Sequence, residues 1–169
     1  MRLFIIFIIL MSNSFANEII DIKNLVINKE LKKYDSLTFI DAKNKQINLN
    51  NFEGNLILLN FWATWCAPCK KEMPSLDLLK NNENLDNIKI FPINVGQDNV
   101  EKASKFFEDL KIKNLEIYFD TPITLAKKFS LRGIPTSILI NKKGEEFARI
   151  IGSIDFEDDK FIKWLSNYN

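Results

Sequence analysis

The chain has 169 residues, 46% hydrophobic and 27% charged, which suits one globular domain and excludes a collagen-like or charge-rich disordered chain. With 23 basic against 22 acidic residues there is no bulk positive charge to draw it to nucleic acid. The absence of His removes Ser-His-Asp and Cys-His catalysis and His-ligated zinc or haem, and two Cys exclude a Cys₄ metal site within one chain.

Arg2 and the apolar run Leu3 to Met11, followed by small residues at Ser14 and Ala16, have the pattern of a secretory signal peptide over residues 1–16, cleaved after Ala16. The alternative is an uncleaved membrane anchor, but spanning needs roughly 20 apolar residues and this run is interrupted from Ser12. Export implies a periplasmic or otherwise extracytoplasmic location, where an idle thiol pair is oxidised.

Residues 17–35 show no clear period and are expected to be a lead-in with a short helix near 28–34, before a domain over 36–169. Leu37 to Ile40 and Gln46 to Leu49 are strand-like, and the polar Asp41 to Lys45 between them predicts a hairpin. Leu56 to Trp62 is a continuous apolar run, predicting a strand covered on both faces. A helix is expected from Pro68 to about Leu85, with Met73, Leu76 and Leu79 on its apolar side and Pro74 kinking it. A strand over Ile88 to Val95 precedes a helix carrying Val100, Ala103, Phe106, Phe107 and Leu110. A short strand at Ile117 to Phe119 and a short helix over Thr124 to Phe129 come next. Strands over Ser137 to Ile140 and Glu146 to Ile151 flank the turn Asn141 to Gly144, and a last helix places Phe161, Leu165 and Tyr168 on one face. The alternation predicts an α/β fold, a sheet with helices on both faces.

The chemistry sits at Trp65-Cys66-Ala67-Pro68-Cys69. Two cysteines separated by two residues at a strand-to-helix step are a redox signal. Unpaired N–H groups at the helix start stabilise an anionic sulfur, so Cys66 is expected to be the exposed nucleophile and Cys69, one turn inside, the second sulfur. A haem attachment site needs His after the second Cys, where Lys70 stands. A structural disulfide across so short a loop would add little stability.

The run Asn60 to Pro74, with Trp65-Cys66-Ala67-Pro68-Cys69-Lys70-Lys71-Glu72 at its centre, resembles the active-site signature of the TlpA/ResA family, and Gly133-Ile134-Pro135-Thr136 resembles that family's loop opposite the disulfide. The resemblance spans about Leu37 to the C-terminus. It implies a thioredoxin fold, a central mixed sheet with helices on both faces, carrying an N-terminal β-hairpin and an insertion around residues 99–120. It further implies thiol–disulfide exchange, often as a reductant for cytochrome c maturation or copper-site assembly, with a membrane thiol transporter as electron donor. It also implies a cis Ile134–Pro135 bond beside the sulfurs, leaving the Ile134 backbone free to pair with a substrate segment; the alternative is an ordinary trans turn.

Glu72 lies three residues beyond Cys69, so a helix brings the two near each other. It suits proton acceptance from Cys69, with a pKa raised by partial burial; the alternative is a solvated Glu paired with a Lys. Asn60 stands where thioredoxins proper usually carry a buried Asp, and it cannot accept a proton. Trp62 is expected in the core and Trp65 on the docking surface. Lys70 and Lys71 are expected on a solvated face. No nicotinamide, flavin or metal motif is visible, so no cofactor is expected.

The expected partner is a client protein with a Cys pair, such as an apocytochrome c or a copper-site protein. Three alternatives remain open. A dithiol oxidase of this fold tends to have a His between the cysteines, which Ala67-Pro68 lacks. A thiol peroxidase resembles Pro-x-x-x-Thr-x-x-Cys, whereas Ala63 stands three residues before Cys66. A non-catalytic binding module would not need the intact Cys pair.

Overall fold

A computed structural model describes residues 21–169; the expected signal peptide at 1–16 lies outside them. Eight strands form one mixed sheet: β1 (Leu25–Lys33), β2 (Thr38–Asp41), β3 (Gln46–Asn48), β4 (Leu56–Trp62), β5 (Ile88–Asn94), β6 (Tyr118–Phe119), β7 (Thr136–Ile140) and β8 (Glu145–Ile151). Their order across the sheet is β1-β8-β7-β4-β5-β6-β2-β3. β5 pairs in parallel with β4 and β6, and the other pairings are antiparallel. Four helices complete the fold: α1 (Ala67–Leu79), α2 (Val100–Asp109), α3 (Leu125–Lys128) and α4 (Asp159–Ser166).

Central β4 is buried along its whole length because both faces are covered. Leu56, Leu58 and Trp62 pack with Met73 and Leu76 of α1, Phe106 and Phe107 of α2, and Phe161 and Leu165 of α4. Ile57, Leu59 and Phe61, pointing the other way by strand alternation, pack with Leu125 and Phe129 around α3. This is the expected thioredoxin architecture. The hairpin β2–β3 reaches the sheet through the insertion, since β2 pairs with β6 and β6 with β5. The insertion is fastened to α1 by the buried Asp77 carboxylate, which accepts from the amides of Lys113, Asn114 and Leu115.

Two expectations are corrected. Residues 28–34 form no helix; Leu25–Lys33 is an edge strand on β8, irregular between Ile27 and Lys32. Val26, Ile27 and Leu31 remain exposed, so the strand lacks the alternation that burial of one face imposes. The active-site helix ends at Leu79 rather than near Leu85. Asn82 Oδ1 accepts from the Asn84 amide, and such local side-chain bonds compete with helical ones.

What fastens β1 is a polar cluster. The fully buried Glu146 accepts from Arg149 Nε at 2.6 Å, Tyr34 Oη at 2.6 Å and Asn28 Nδ2 at 2.9 Å, while Arg149 also donates to the Phe129 carbonyl. Burial pushes the Glu146 carboxyl up, but hydrogen bonds from Arg149, Asn28 and Tyr34 outweigh it and hold the pKa below the ordinary value. Arg149→Leu strands that carboxylate, and the expected loss is about 3 kcal/mol of unfolding free energy, measured by urea denaturation at neutral pH.

Candidate active site

The site forms where β4 ends and α1 begins. Cys66 is the N-cap of α1 in an extended conformation, and its Sγ accepts from the Cys69 amide at 3.3 Å. Pro68 sits in the first turn, where a missing N–H leaves no bond unmade. Cys66 and Cys69 are joined as a disulfide. Cys66 is 4% exposed and Cys69 fully buried. The order of exposure is as the sequence suggests, but Cys66 is far more covered than a freely exposed nucleophile. The exposed group is its neighbour Trp65, at 68%. Trp62 is fully buried and stacks on Phe106, with ring centroids 4.8 Å apart. Lys70 and Lys71 face solvent.

Glu72 is 2% exposed, which excludes a solvated Glu paired with a Lys. Its Oε1 accepts from Asn60 Nδ2 at 2.8 Å and its Oε2 from the Ile154 amide at 3.3 Å. Burial pushes its pKa up to about 7, against the lowering effect of those two hydrogen bonds. Both protonation states are therefore accessible near neutrality, one helical turn from Cys69.

Just ahead of β7, whose Thr136 pairs with Phe61 of β4, the Ile134–Pro135 peptide is cis. Thr136 Oγ1 donates to the Gly133 carbonyl and the Gly152 amide to the Pro135 carbonyl. Among the described residues, the Ile134 N–H and C=O enter no backbone hydrogen bond.

A second carboxylate, which no motif singles out, braces the loop before Cys66. Asp98 accepts from the Thr64 amide at 3.0 Å, Thr64 Oγ1 at 2.8 Å, Asn94 Nδ2 at 2.9 Å and Lys102 Nζ at 2.6 Å. Burial opposes its charge, but these four donors bring its pKa down to about 2. Gly96 allows the two loops to close. A Cβ built there falls 2.6 Å from Ala63 Cβ, 2.9 Å from Asp98 Oδ2 and 3.2 Å from Trp65 Nε1.

Among the described residues there is no group of three or more metal-ligating side chains and no helix long and apolar enough to cross a membrane.

Comparison with known proteins agrees with this geometry. The AhpC/TSA family model matches residues 23–145. The thiol–disulfide oxidoreductase ResA of Bacillus cereus is 32% identical over 136 residues, covering 78% of this chain and 73% of that protein. StoA from Bacillus subtilis superposes with a TM-score of 0.64 at 28% identity, covering 76% of this chain and 96% of that one. A protein from Chlorobium tepidum described as a thiol:disulfide interchange protein DsbE shares the fold, with a TM-score of 0.68 at 20% identity over 84% of this chain and 96% of that one.

Two outcomes test the site's geometry. Gly96→Ala forces Ala63 and Trp65 apart, with an expected loss of about 1–3 kcal/mol and altered Trp fluorescence. Because the Glu72 pKa is raised above its unfolded value near 4.5, Glu72 favours the folded state below that value, and this contribution is lost as the pH rises through about 7. Unfolding free energy should fall by on the order of 3 kcal/mol across that window, and Glu72→Gln should remove that fall.

Proposed function

The chain belongs to the ResA-like thiol–disulfide oxidoreductases within the AhpC/TSA family, and from that premise we propose that it is an exported reductant of client disulfides, working through Cys66, Cys69 and Glu72. The single observation carrying this reading is the carboxyl of Glu72, buried one turn from the inner sulfur with a pKa near neutrality.

In the reduced protein the Cys66 thiolate, stabilised by the α1 N-terminus, attacks a client disulfide. A Cys66–client bond forms, the client disulfide breaks, and the released client thiolate takes a proton from water. Cys69 then gives its proton to Glu72 and attacks Cys66 Sγ. The mixed disulfide breaks, the Cys66–Cys69 bond closes, and two electrons have passed to the client. Burial of Cys69 in an apolar surround disfavours its thiolate, so a nearby proton acceptor assists at this step.

Trp65 offers an exposed aromatic docking surface beside Cys66, and the free Ile134 backbone ahead of Pro135 suits pairing with an extended client segment. Such a client is a protein with a Cys pair, of the apocytochrome c or copper-site kind. The proposal places residues 1–16 as a cleaved signal and 36–169 as the thioredoxin-like domain, with β1 (Leu25–Lys33) joined to the edge of its sheet, active in the periplasm or an equivalent exported compartment. Electrons arrive from a membrane thiol transporter. A peroxidase reading gains no support at position 63, where the buried Ala63 supplies no hydroxyl.

The test uses reduced protein and a disulfide-bonded apocytochrome peptide. The peptide should be reduced, Cys69→Ser should accumulate a mixed disulfide through Cys66, and Glu72→Gln should slow release of the reduced peptide by about 100-fold. An equilibrium potential near or below about −270 mV fits a reductant, whereas one near about −120 mV with no peptide reduction overturns the proposal in favour of a dithiol oxidase.

A further inference from the structure

Behind the disulfide lies a small polar cluster in an apolar core. Asn60 on β4 stands directly opposite Ser137 on β7 in the antiparallel register, and Glu72 reaches it from α1. Asn60 Nδ2 donates to Glu72 Oε1 at 2.8 Å and to Ser137 Oγ at 3.0 Å. Asn60 is fully buried, and Ser137 and Glu72 are each 2% exposed. Among the described residues, Asn60 Oδ1 accepts no hydrogen bond. An unsatisfied buried carbonyl is unfavourable, so its presence at the site calls for a reason.

The donor and acceptor pattern supplies one. As the structure stands, Asn60 presents a donor to Glu72, an arrangement that serves a carboxylate. When Glu72 holds a proton on Oε1, donor faces donor. The Ile154 amide on the other oxygen is backbone and cannot change its sense. Asn60 can, because half a turn of its carboxamide exchanges Oδ1 and Nδ2 in nearly the same volume. Ser137 can follow, since a hydroxyl both accepts and donates. The unpartnered Oδ1 is then the acceptor that the protonated state requires.

We propose that Asn60 is a positioning residue whose carboxamide reverses when Glu72 gains or loses a proton, with the Ser137 hydroxyl turning with it. The inference rests on the proton-acceptor role of Glu72 proposed above. When the Cys69 S–H bond breaks and an O–H bond forms on Glu72, the negative charge passes from carboxylate to thiolate. Asn60 meets the carboxylate with Nδ2 and the acid with Oδ1, so Glu72 faces a correctly directed group in either state, while the carboxamide atom on the far side goes without a partner in both. The polar groups facing the Glu72 carboxyl are Asn60 from β4 and the Ile154 amide after β8. No charged side chain contributes to its shift, and Lys70 and Lys71 of α1 face solvent.

The test is a pH titration of the reduced, isotopically labelled protein by NMR, following the Glu72 carboxyl carbon and the Asn60 side-chain NH₂ together. The NH₂ signals should move with the Glu72 midpoint and stay fixed in Glu72→Gln. Asn60→Leu, which can neither donate nor accept, should raise the Glu72 midpoint by about one unit and shift the pH profile of mixed-disulfide resolution by the same amount; Ser137→Ala should raise it less. NH₂ signals that stay fixed in the wild-type protein while Glu72 titrates overturn the reversal, whatever the variants do. The underlying reading fails separately: if Glu72→Gln resolves the mixed disulfide at the wild-type rate, Glu72 does not take the Cys69 proton, even where Asn60 and Glu72 titrate together.

Discussion

The Cys69 amide directed at Cys66 Sγ is the contact on which the redox chemistry depends. A sulfur at the N-cap receives the unpaired N–H groups and the positive end of the helix dipole, which favour its anionic form. A thiolate is the attacking species in disulfide exchange. That single placement gives two chemically identical and buried residues different surroundings, Cys66 at the helix end and Cys69 a turn inside, and on the proposed reading it makes Cys66 the attacking sulfur.

The rest of the structure holds that helix end where it is needed. β4 is sealed on both faces and delivers the chain to Trp62 without freedom to shift. The next residues are fixed by Asp98, whose carboxylate takes both the amide and the hydroxyl of Thr64. Gly96 lets the loops approach until Ala63 and Trp65 leave no space for a side chain. Behind the sulfurs, burial leaves Glu72 poised between protonation states. On the proposed reading, one helix carries an anion-stabilising end and a proton acceptor on the same short stretch of sequence, so both steps of exchange use neighbouring groups.

Much of this was legible in the sequence, for definable reasons. The β4 run and the amphipathic α2 carry strong periodic signals, and the Cys pair at a strand-to-helix step fixes the site. Glu72 is visible because helical spacing places it near Cys69. β1 was not legible: it is an edge strand with largely solvated faces, held by backbone pairing and by Glu146 rather than by its own pattern. The end of α1 was obscured because apolar Leu85 continues the stripe while Asn82 turns the chain. Asp98, Ser137 and Ile154 were out of reach, since each meets the site only through tertiary folding, from 34, 77 and 82 residues away in sequence from Thr64, Asn60 and Glu72 respectively. The near-complete burial of Cys66 is also a tertiary property, which the exposed Trp65 beside it gives no hint of.

The most direct test of the central claim is the acidity of Cys66 in reduced Cys69→Ser protein, followed by ultraviolet thiolate absorbance across a pH series. If the α1 N-terminus stabilises the thiolate, the midpoint lies clearly below the free-cysteine value of about 8.5, near 7 as in thioredoxin. A midpoint at or above about 8.5 would mean that burial outweighs the helix, and would contradict Cys66 as the attacking sulfur.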